Sequence, residues 1–258
     1  MSDILNIYTY QHKPLDYSLP RNENYKILQV GAAHNKPLPD VDYRDNEGDN
    51  ISLWNEVYVE NTGLYWVWKN RPESKYVGVQ QYRRQFPLLN DQEAERLFEK
   101  YDCITTTPLK CVPTVWAQFC TCHGKAYIQA AKNTIENRYP LYKEAFEKYI
   151  EKSPNLLYAG GYVMKSEDFD TWCEFAFAFA SDLINELGCC SVETVKSMVE
   201  YYANHGLQPT HNGFRERNYD VGVVGFMFER LWTMWCQWRF DAKRVLAVRY
   251  VLKEKIPF

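Results

Sequence analysis

The stretch that decides the fold lies between residues 44 and 86. It reads RDNEGDNISLWNEVYVENTGLYWVWKN over residues 44–70 and, after a short gap, KYVGVQQYRRQF over residues 75–86. The first part is a polar loop that leads into a segment with helical spacing, and the second is an apolar strand that ends in two adjacent arginines. A loop, a helix and a strand in this order predict an α/β domain whose ligand lies outside the carboxyl ends of the strands.

The arginines Arg83 and Arg84 indicate what that ligand carries. Each guanidinium presents a planar fork of donors that matches a phosphate group. The alternative is that one of the two arginines pairs with a structural acid. Glu60 lies on a helix that otherwise looks buried, so it needs a partner, and it is a candidate to hold Arg83 or Arg84 in place.

The rest of the chain alternates strands and helices. Strands are predicted over residues 4–10, 26–33, 75–80, 102–106 and 158–164, and helices over 52–69, 91–101, 118–152 with a break near Pro140, 166–187, 192–204 and 220–240. Residues 34–50 and 205–219 are expected to be polar loops. This pattern predicts a single domain over residues 1–258, with a mixed, mostly parallel sheet between layers of helices and a helical C-terminal portion. The glycine-rich signatures of dinucleotide-binding and P-loop proteins and the GxSxG elbow are absent.

Composition narrows the function. The 258 residues carry a formal charge of −3, which argues against a general polyanion binder. Aromatic residues make up 16% of the chain, an amount that serves either a core or the stacking of sugars and bases.

The eight cysteines are expected to be free thiols, because the N-terminus does not resemble a signal peptide. A metal site at Cys120, Cys122 and His123 is the less favoured reading, because no second cysteine pair accompanies it. No segment reaches 18 uncharged apolar residues, so no membrane span is expected.

Many short motifs carry a resemblance that extends over nearly the whole chain. They are His12-Lys13, Val30-Gly31-Ala32, Asp45-Asn46, Gly48 to Ser52, Asn55, Glu60, Thr62, Tyr65-Trp66, Trp68-Lys69-Asn70, Val77-Gly78, Tyr82-Arg83-Arg84, Phe86, Gln118, His123, Gly225-Phe226 and Glu229-Arg230-Leu231. With these motifs the chain resembles a family of GT-A-type glycosyltransferases, long labelled a domain of unknown function, from bacterial capsule and exopolysaccharide gene clusters. Two positions depart from the family. Gln81 stands where a histidine usually precedes Tyr-Arg-Arg, which bears on any metal or proton role there, and Ala159-Gly160-Gly161 replaces an asparagine pair near the sugar pocket.

The resemblance implies a GT-A-like fold and a hexosyl- or pentosyltransferase that uses a nucleotide-sugar, with UDP the expected nucleotide. The implied donor-binding residues are His12, Lys13, Asp45, Asp49, Asn50, Tyr82, Arg83, Arg84, Gly160 and Gly161; the implied acceptor-binding residues are Gln118 and His123; the implied catalytic residues are Asp220, Glu229, Arg83 and Arg84. Simpler readings remain open for several of them. The loop from Asp45 to Asn50 is otherwise a solvated turn that leads to an N-cap at Ser52, a lone histidine is more often structural, and Glu229 is otherwise an ion-pair partner of Arg230.

Partners and cofactor follow from the same resemblance. The expected acceptor is a hydroxyl of a glycan or a lipid-linked oligosaccharide. A modified nucleic-acid base is an alternative acceptor for the same chemistry. A second class of function is a non-catalytic GT-A-like protein that binds a sugar or nucleotide without turnover. GT-A enzymes usually hold Mn²⁺ or Mg²⁺ with an Asp-x-Asp motif. The corresponding strand here ends in arginines, so a weak metal requirement is predicted, with Asp45, Asp49 and Asp102 as the ligands if an ion is bound. The expected location is the cytoplasm, including the inner face of the membrane.

Overall fold

The computed structural model describes residues 2–157, 160–207 and 219–252 of the chain. Within these ranges, nine strands form one sheet and two short strands form a second. The strands are β1 Leu5–Gln11, β2 Tyr25–Gln29, β3 Tyr43–Arg44, β4 Tyr76–Gln81, β5 Arg84–Gln85, β6 Cys103–Thr106, β7 Leu109–Lys110, β8 Asn155–Leu156, β9 Gly161–Lys165, β10 Val245–Val248 and β11 Val251–Leu252.

The main sheet has the order β10-β6-β9-β4-β1-β2-β3, with β5 and β11 attached beyond β4. Strand β9 runs antiparallel to both of its neighbours. The other pairs along this path are parallel. The predicted mixed, mostly parallel α/β sheet is therefore confirmed. This topology brings the carboxyl ends of β1, β2, β4 and β6 to the same edge as the first residue of β9, and we call it the carboxyl edge.

Helices cover both faces of the sheet. The α-helices are α1 Asn55–Tyr58, α2 Asn61–Asn70, α3 Asp91–Phe98, α4 Val115–His123, α5 Lys125–Arg138, α6 Lys143–Phe146, α7 Ser166–Glu186, α8 Val192–Asn204 and α9 Val223–Arg239. Short 3₁₀ turns lie at Ser52–Trp54, Pro140–Tyr142, Tyr219–Gly222 and Ala242–Arg244, and a π turn at Glu147–Glu151. The helical C-terminal portion predicted from the sequence corresponds to α7, α8 and α9.

Side chains alternate between two cores because successive residues of a strand point to opposite faces. On β1, Leu5 and Ile7 pack with Ala94 and Phe98 of α3. Tyr8 and Tyr10 face the larger core that α2, α7 and α9 share; its largest buried members include Trp172, Trp232, Trp235, Tyr162, Phe169 and Phe179. These aromatic side chains therefore serve the core, which was the favoured reading of the composition.

The helix predicted from Ser52 to Lys69 is wrong in one respect, because the chain breaks at Val59. This residue has φ +47°, a conformation that costs a β-branched residue on the order of 1–3 kcal/mol. Two contacts hold it there. The Asn55 side chain donates to the Val59 carbonyl at 2.7 Å. A Cβ added at Gly225 of α9 would lie 2.0 Å from Val59 Cγ2, so the glycine makes room for the kink.

Other boundaries also differ from the prediction. The helix predicted over 118–152 begins earlier, at Val115, where the Thr114 side chain caps it, and it breaks first at Gly124, whose φ is +103°. Strand β2 stops at Gln29, since Gly31 has φ +67° and turns the chain. Residues 158–159 of the predicted strand and residues 208–218 of the predicted loop lie outside the described residues.

Candidate active site

Basic side chains converge on the ring of Tyr82 at the carboxyl edge. The His12 ring lies 5.3 Å from that ring, edge to face. The Lys13 Nζ atom is 5.6 Å from the ring centroid, and the guanidinium carbon of Arg83 is 5.9 Å from it. Tyr82 is fixed by its own backbone, whose N–H donates to the Tyr10 carbonyl at 3.0 Å. The structure therefore brings four of the predicted donor-binding residues together, three of them around the buried ring of the fourth, Tyr82.

Arg84 follows Arg83 in the chain, and its guanidinium is held by the Gln81 side chain. Its side chain is only 9% exposed, and Nη1 donates to the Gln81 Oε1 atom at 3.2 Å. The Gln81 Nε2 atom donates in turn to the Glu60 carboxylate. Sequence analysis proposed Glu60 as the acid that holds Arg83 or Arg84. In the structure, Glu60 is linked to Arg84 through the amide of Gln81.

A pocket of about 530 Å³ opens next to Lys13. It lies between the segment that follows β1 and the loop that precedes β3, and its lining is mixed; the residues are Gln11, Pro14 to Leu19, Arg21, Ile27, Pro39 and Asp40. Its position beside the basic residues makes this edge concave as well as cationic. None of the lining residues except those next to Lys13 stood out in the sequence, because a pocket between two loops leaves no periodic signal.

Asp45 has a structural role, which revises its predicted contact with a substrate. Its carboxylate is fully buried and accepts four hydrogen bonds from separate groups. The donors are the Gly31 and Ala32 backbone N–H groups at 2.8 and 2.9 Å and the Ser52 and Thr62 hydroxyls, each at 2.6 Å. Four donors use the acceptor capacity of a carboxylate. Asp45 therefore braces the start of α2 against the end of β2.

Asp49 and Asn50 also lie apart from the arginines, contrary to the predicted arrangement. The Asp49 backbone exchanges hydrogen bonds with the Asn70 side chain at the last residue of α2. The Asn50 side chain donates to the Gly48 carbonyl at 2.8 Å. Glu60 precedes the first residue of α2, so this loop ends roughly 15 Å along the helix axis, at about 1.5 Å per residue, from the carboxyl edge.

The glycine pair behaves differently from the prediction. Gly161 pairs with Gln80 at the start of β9, but a Cβ there would lie 2.9 Å from the Phe86 ring. The space above Gly161 is thus filled by Phe86 rather than left open for a sugar. The Gly160 carbonyl accepts a hydrogen bond from the Gln81 backbone N–H at 3.0 Å. Both glycines are at the carboxyl edge, where they allow close packing of the chain itself.

The predicted acceptor residues and Glu229 form a second cluster between α4 and α9. Arg230 is 2% exposed and donates to Glu229 at 2.5 Å and to the Gln118 amide oxygen. The His123 ring stacks on Phe226, with 4.3 Å between the ring centroids. The structure has the ion pair that sequence analysis left open as the second reading of Glu229. The Asp220 backbone lies in the 3₁₀ turn before α9, and its side chain lies outside the described atoms.

The candidate metal ligands among the described residues do not lie together. Among the described residues, no group of three or more His, Cys, Asp and Glu side chains could hold a metal ion. Asp102 lies before β6, at the edge opposite the arginines, and it forms two hydrogen bonds with Arg244 at 2.5 and 2.7 Å. Asp102 therefore lies apart from the arginines, and its role as a metal ligand stays a prediction. The Arg244 hydrogen bonds lower the pKa of the Asp102 carboxyl, which suits an ion pair.

Two residues of the site were not recognised as functional from the sequence. Gln81 was noted only as a departure from the usual histidine, although it connects Glu60 with Arg84. Val59 was read as an ordinary helical position, although its backbone presents Glu60 to Gln81. The sequence gives one signal for Gln81, since a polar residue in the buried strand β4 needs partners. It gives none for Val59.

In the described part of the chain, no helix combines the length and the apolar character that a bilayer span needs.

Comparison with known proteins agrees with the fold. A family model described as a domain of unknown function, DUF4422, matches residues 6–199. No curated protein matches the chain. A solved structure titled as the apo form of WbbM, a bifunctional glycosyltransferase, superposes with a TM-score of 0.74 at 22% identity, over 96% of this chain and 45% of that chain. The chain thus spans less than half the length of the protein chain it matches, and this likeness shows the fold. The family model covers most of the chain, so the protein belongs to the DUF4422 family.

Proposed function

We propose that this protein is a glycosyltransferase that moves a sugar from a nucleotide-sugar, with UDP as the nucleotide, to a hydroxyl of a glycan or a lipid-linked acceptor. The observation that carries the proposal is the convergence of His12, Lys13, Arg83 and Arg84 at the carboxyl edge of an α/β sheet. Ligands of such sheets bind at this edge. The similarity in fold to a bifunctional glycosyltransferase supports the same activity.

The basic residues would act on the leaving group. When the acceptor hydroxyl attacks the anomeric carbon, the bond from that carbon to the diphosphate oxygen breaks, and the diphosphate leaves with the electron pair. Arginine donors aimed at the phosphate oxygens stabilise this developing charge. Arg84 is suited to the task because its guanidinium is held before the substrate binds.

The nucleoside would occupy the pocket of about 530 Å³ beside Lys13. Its volume is in the range of small-molecule sites. Its lining combines apolar side chains such as Leu15 and Ile27 with polar side chains such as Gln11 and Asp40. The pocket adjoins the basic residues, so a base and ribose in it would extend a diphosphate toward Arg83 and Arg84.

The acceptor would approach from the side of α4 and α9, where Gln118 and His123 lie. Asp220 and Glu229 are the two candidates for the base that takes the hydroxyl proton. The Glu229 carboxylate is already paired with Arg230, which makes Asp220 the better candidate. We place the reaction in the cytoplasm, including the inner face of the membrane. An acceptor on modified nucleic acid is less favoured because the formal charge is −3.

Calorimetry with UDP, GDP, CDP, TDP and ADP tests the first step. We expect UDP to bind with a Kd in the micromolar range and the matching UDP-sugar to be turned over when a glycan acceptor is supplied. The matched control is Lys152→Ala, which removes an exposed lysine on the far π turn. Failure of all five nucleotides to bind at millimolar concentration would overturn the proposal.

A second candidate function is recognition of a nucleotide-sugar without turnover. The specific observation in its favour is the ion pair of Glu229 with Arg230, which occupies one of the two proposed bases. Product analysis separates the two functions. Tight binding with neither transfer nor hydrolysis over a panel of acceptors would establish the second function, whereas release of UDP that depends on the acceptor would establish the first.

A further inference from the structure

We propose that Gln81 is a positioning residue that fixes the Arg84 guanidinium for the diphosphate by linking it to Glu60. The proposal rests on the proposed function and adds to it the device that sets the arginine. Its basis is a chain of three side chains from separate elements: Glu60 precedes α2, Gln81 ends β4, and Arg84 begins β5. Neither of these two contacts depends on a bound ligand.

The chemistry of the three groups allows one orientation of the amide. A guanidinium can only donate, so the Gln81 atom facing Arg84 must be the carbonyl oxygen. An ionised carboxylate can only accept, so the atom facing Glu60 must be the NH₂ group. The structure has this arrangement. An amide therefore joins an obligatory donor to an obligatory acceptor without adding charge.

Burial and backbone pairing hold Gln81 in place. The side chain is 4% exposed, its backbone N–H donates to the Gly160 carbonyl at 3.0 Å, and it is the register partner of Tyr10 on β1. Neighbouring strands hold the Gln81 backbone on both sides and the side chain is buried, so it cannot move to a different rotamer at low cost. The position of Arg84 thus follows from the central strands of the sheet.

The other end of the chain is fixed by the kink at Val59. The residue with φ +47° directly precedes Glu60, and Asn55 binds both the Val59 carbonyl and the Thr62 hydroxyl. Backbone outliers are found where the surrounding structure requires them, and they cluster at functional sites. Without the kink, Glu60 would continue the helix and point elsewhere.

An amide does not itself titrate between about pH 5 and 8, so Gln81 adds no pH dependence to the arrangement. Around Gln81 the titratable or charged groups are Glu60 before α2, Arg84 on β5 with the Tyr250 ring 5.7 Å from its guanidinium carbon, and Tyr10 on β1, with Tyr162 and Cys173 behind Tyr10. Burial raises the pKa of Tyr10, Tyr162 and Cys173 well above their ordinary values, so these three stay neutral. His12 contacts Tyr82 nearby and is present in every variant below.

Gln81→His tests this property directly. A neutral imidazole donates from one nitrogen and accepts at the other, so it can replace the amide. A protonated imidazole has only donors and would repel Arg84. We expect UDP affinity near wild type at about pH 8 and at least about tenfold weaker than wild type at about pH 5.5, the effect of one charge-assisted hydrogen bond. The wild type, measured at the same two pH values, is the reference.

Gln81→Leu removes both hydrogen bonds at similar size, and Gln81→Asn shortens the link and serves if the leucine variant does not fold. We expect each to weaken UDP binding by about tenfold at every pH, with most of the change in the Kd and KM for the donor. Arg84→Ala is the reference for complete loss of the arginine. Thermal melting monitors folding of each variant.

The outcomes separate this proposal from the proposed function. Wild-type protein that binds no nucleotide overturns the proposed function. Wild type that binds UDP while Gln81→Leu or Gln81→Asn binds it equally well overturns only the role of Gln81. A Gln81→His variant that lowers the melting temperature but has the wild-type pH profile also overturns that role, because it shows a purely structural residue.

Discussion

Two neighbouring regions of the carboxyl edge use polar residues in opposite ways. The brace, which we define as Asp45 with its donors at Gly31, Ala32, Ser52 and Thr62, satisfies every hydrogen bond internally. The basic cluster, which we define as His12, Lys13, Arg83 and Arg84, gathers basic side chains after the ends of β1 and β4. The first three lie around the Tyr82 ring, and Arg84 lies against the Tyr250 ring and donates to Gln81. Basic side chains held close together favour the binding of an anionic ligand. A carboxylate whose acceptor positions are all occupied within the protein contributes to the stability of the fold instead. Proximity to the site therefore does not by itself make a residue part of the chemistry.

Removing the brace is expected to have the largest effect, and on stability. Asp45→Ala leaves four buried donors without their acceptor, so we expect the free energy of unfolding to fall by about 4 kcal/mol. Urea denaturation measures it. Asp49→Ala, in the same loop but exposed, is the matched control and should change stability by less than about 1 kcal/mol. Equal effects of the two substitutions would contradict the distinction between brace and loop.

Removing an arginine of the basic cluster is expected to affect turnover instead. Arg83→Ala and Arg84→Ala each lose a charge-assisted contact to phosphate, worth about 1.5–3 kcal/mol, which corresponds to roughly 10- to 100-fold in rate. Steady-state kinetics with the donor varied would show it, and Lys152→Ala should retain wild-type rates. If both arginine variants are folded and fully active, the basic cluster is not the diphosphate site.

The kink connects the two regions and gives a test of intermediate size. In Gly225→Ala the new Cβ would meet Val59 Cγ2 at 2.0 Å and the Tyr58 carbonyl oxygen at 2.9 Å. We expect a loss of about 2 kcal/mol in the free energy of unfolding. Val59→Gly in the same chain removes the clash with Cγ2, leaves the contact with the Tyr58 carbonyl, and tolerates a positive φ, so the double variant should recover about 1 kcal/mol. Strictly additive effects would show that the two residues do not constrain each other.

A small effect is expected at the opposite edge of the sheet. The Arg244 hydrogen bonds hold the pKa of Asp102 below its ordinary value. The ion pair therefore stabilises the fold at neutral pH, and its contribution is lost as pH falls through that lowered pKa. Because the pair is partly exposed, Asp102→Asn should lower the free energy of unfolding by only about 0.5 kcal/mol at neutral pH. The difference in stability between the variant and the wild type should narrow below about pH 4. Urea denaturation at neutral pH and below about pH 4 measures this difference in stability. The turnover of the variant should stay at the wild-type rate.

The smallest effect is expected on removing metal. The strand that would carry an Asp-x-Asp motif ends in the basic cluster, and the brace has no acceptor capacity left for an ion. We expect turnover to persist after exhaustive chelation, measured against the untreated enzyme. Loss of turnover that manganese restores would contradict this expectation and establish a metal site.

Sequence reasoning located the basic cluster because it depends on local order. An apolar strand that ends in arginines, and parallel strands that share an edge, are both readable from residue types. The brace was misread because a polar loop looks solvated until its donors are known. The buried state of Asp45 depends on Gly31, Ser52 and Thr62, which only the folded chain brings together.

The helix break at Val59 was unpredictable for a related reason. Residues 57–60 contain neither glycine nor proline, and the apolar spacing continues through them. The residue that makes the kink possible is Gly225, far along the chain. Likewise the ring of Phe86 lies so close to Gly161 that it leaves no room for a Cβ. Such choices are made by packing between distant segments, which a single sequence does not display.

The spacing of the brace along the chain has a consequence for how the protein is assembled. Asp45 reaches its four partners across 7 to 17 residues, whereas the strand that ends in Gln81 is completed only by β9, whose Gly161 pairs with Gln80. Short loops close at less entropic cost than long ones. On a ribosome, the brace can therefore close while β9 is still unsynthesised, and the pairing that completes the strand ending in Gln81 forms later.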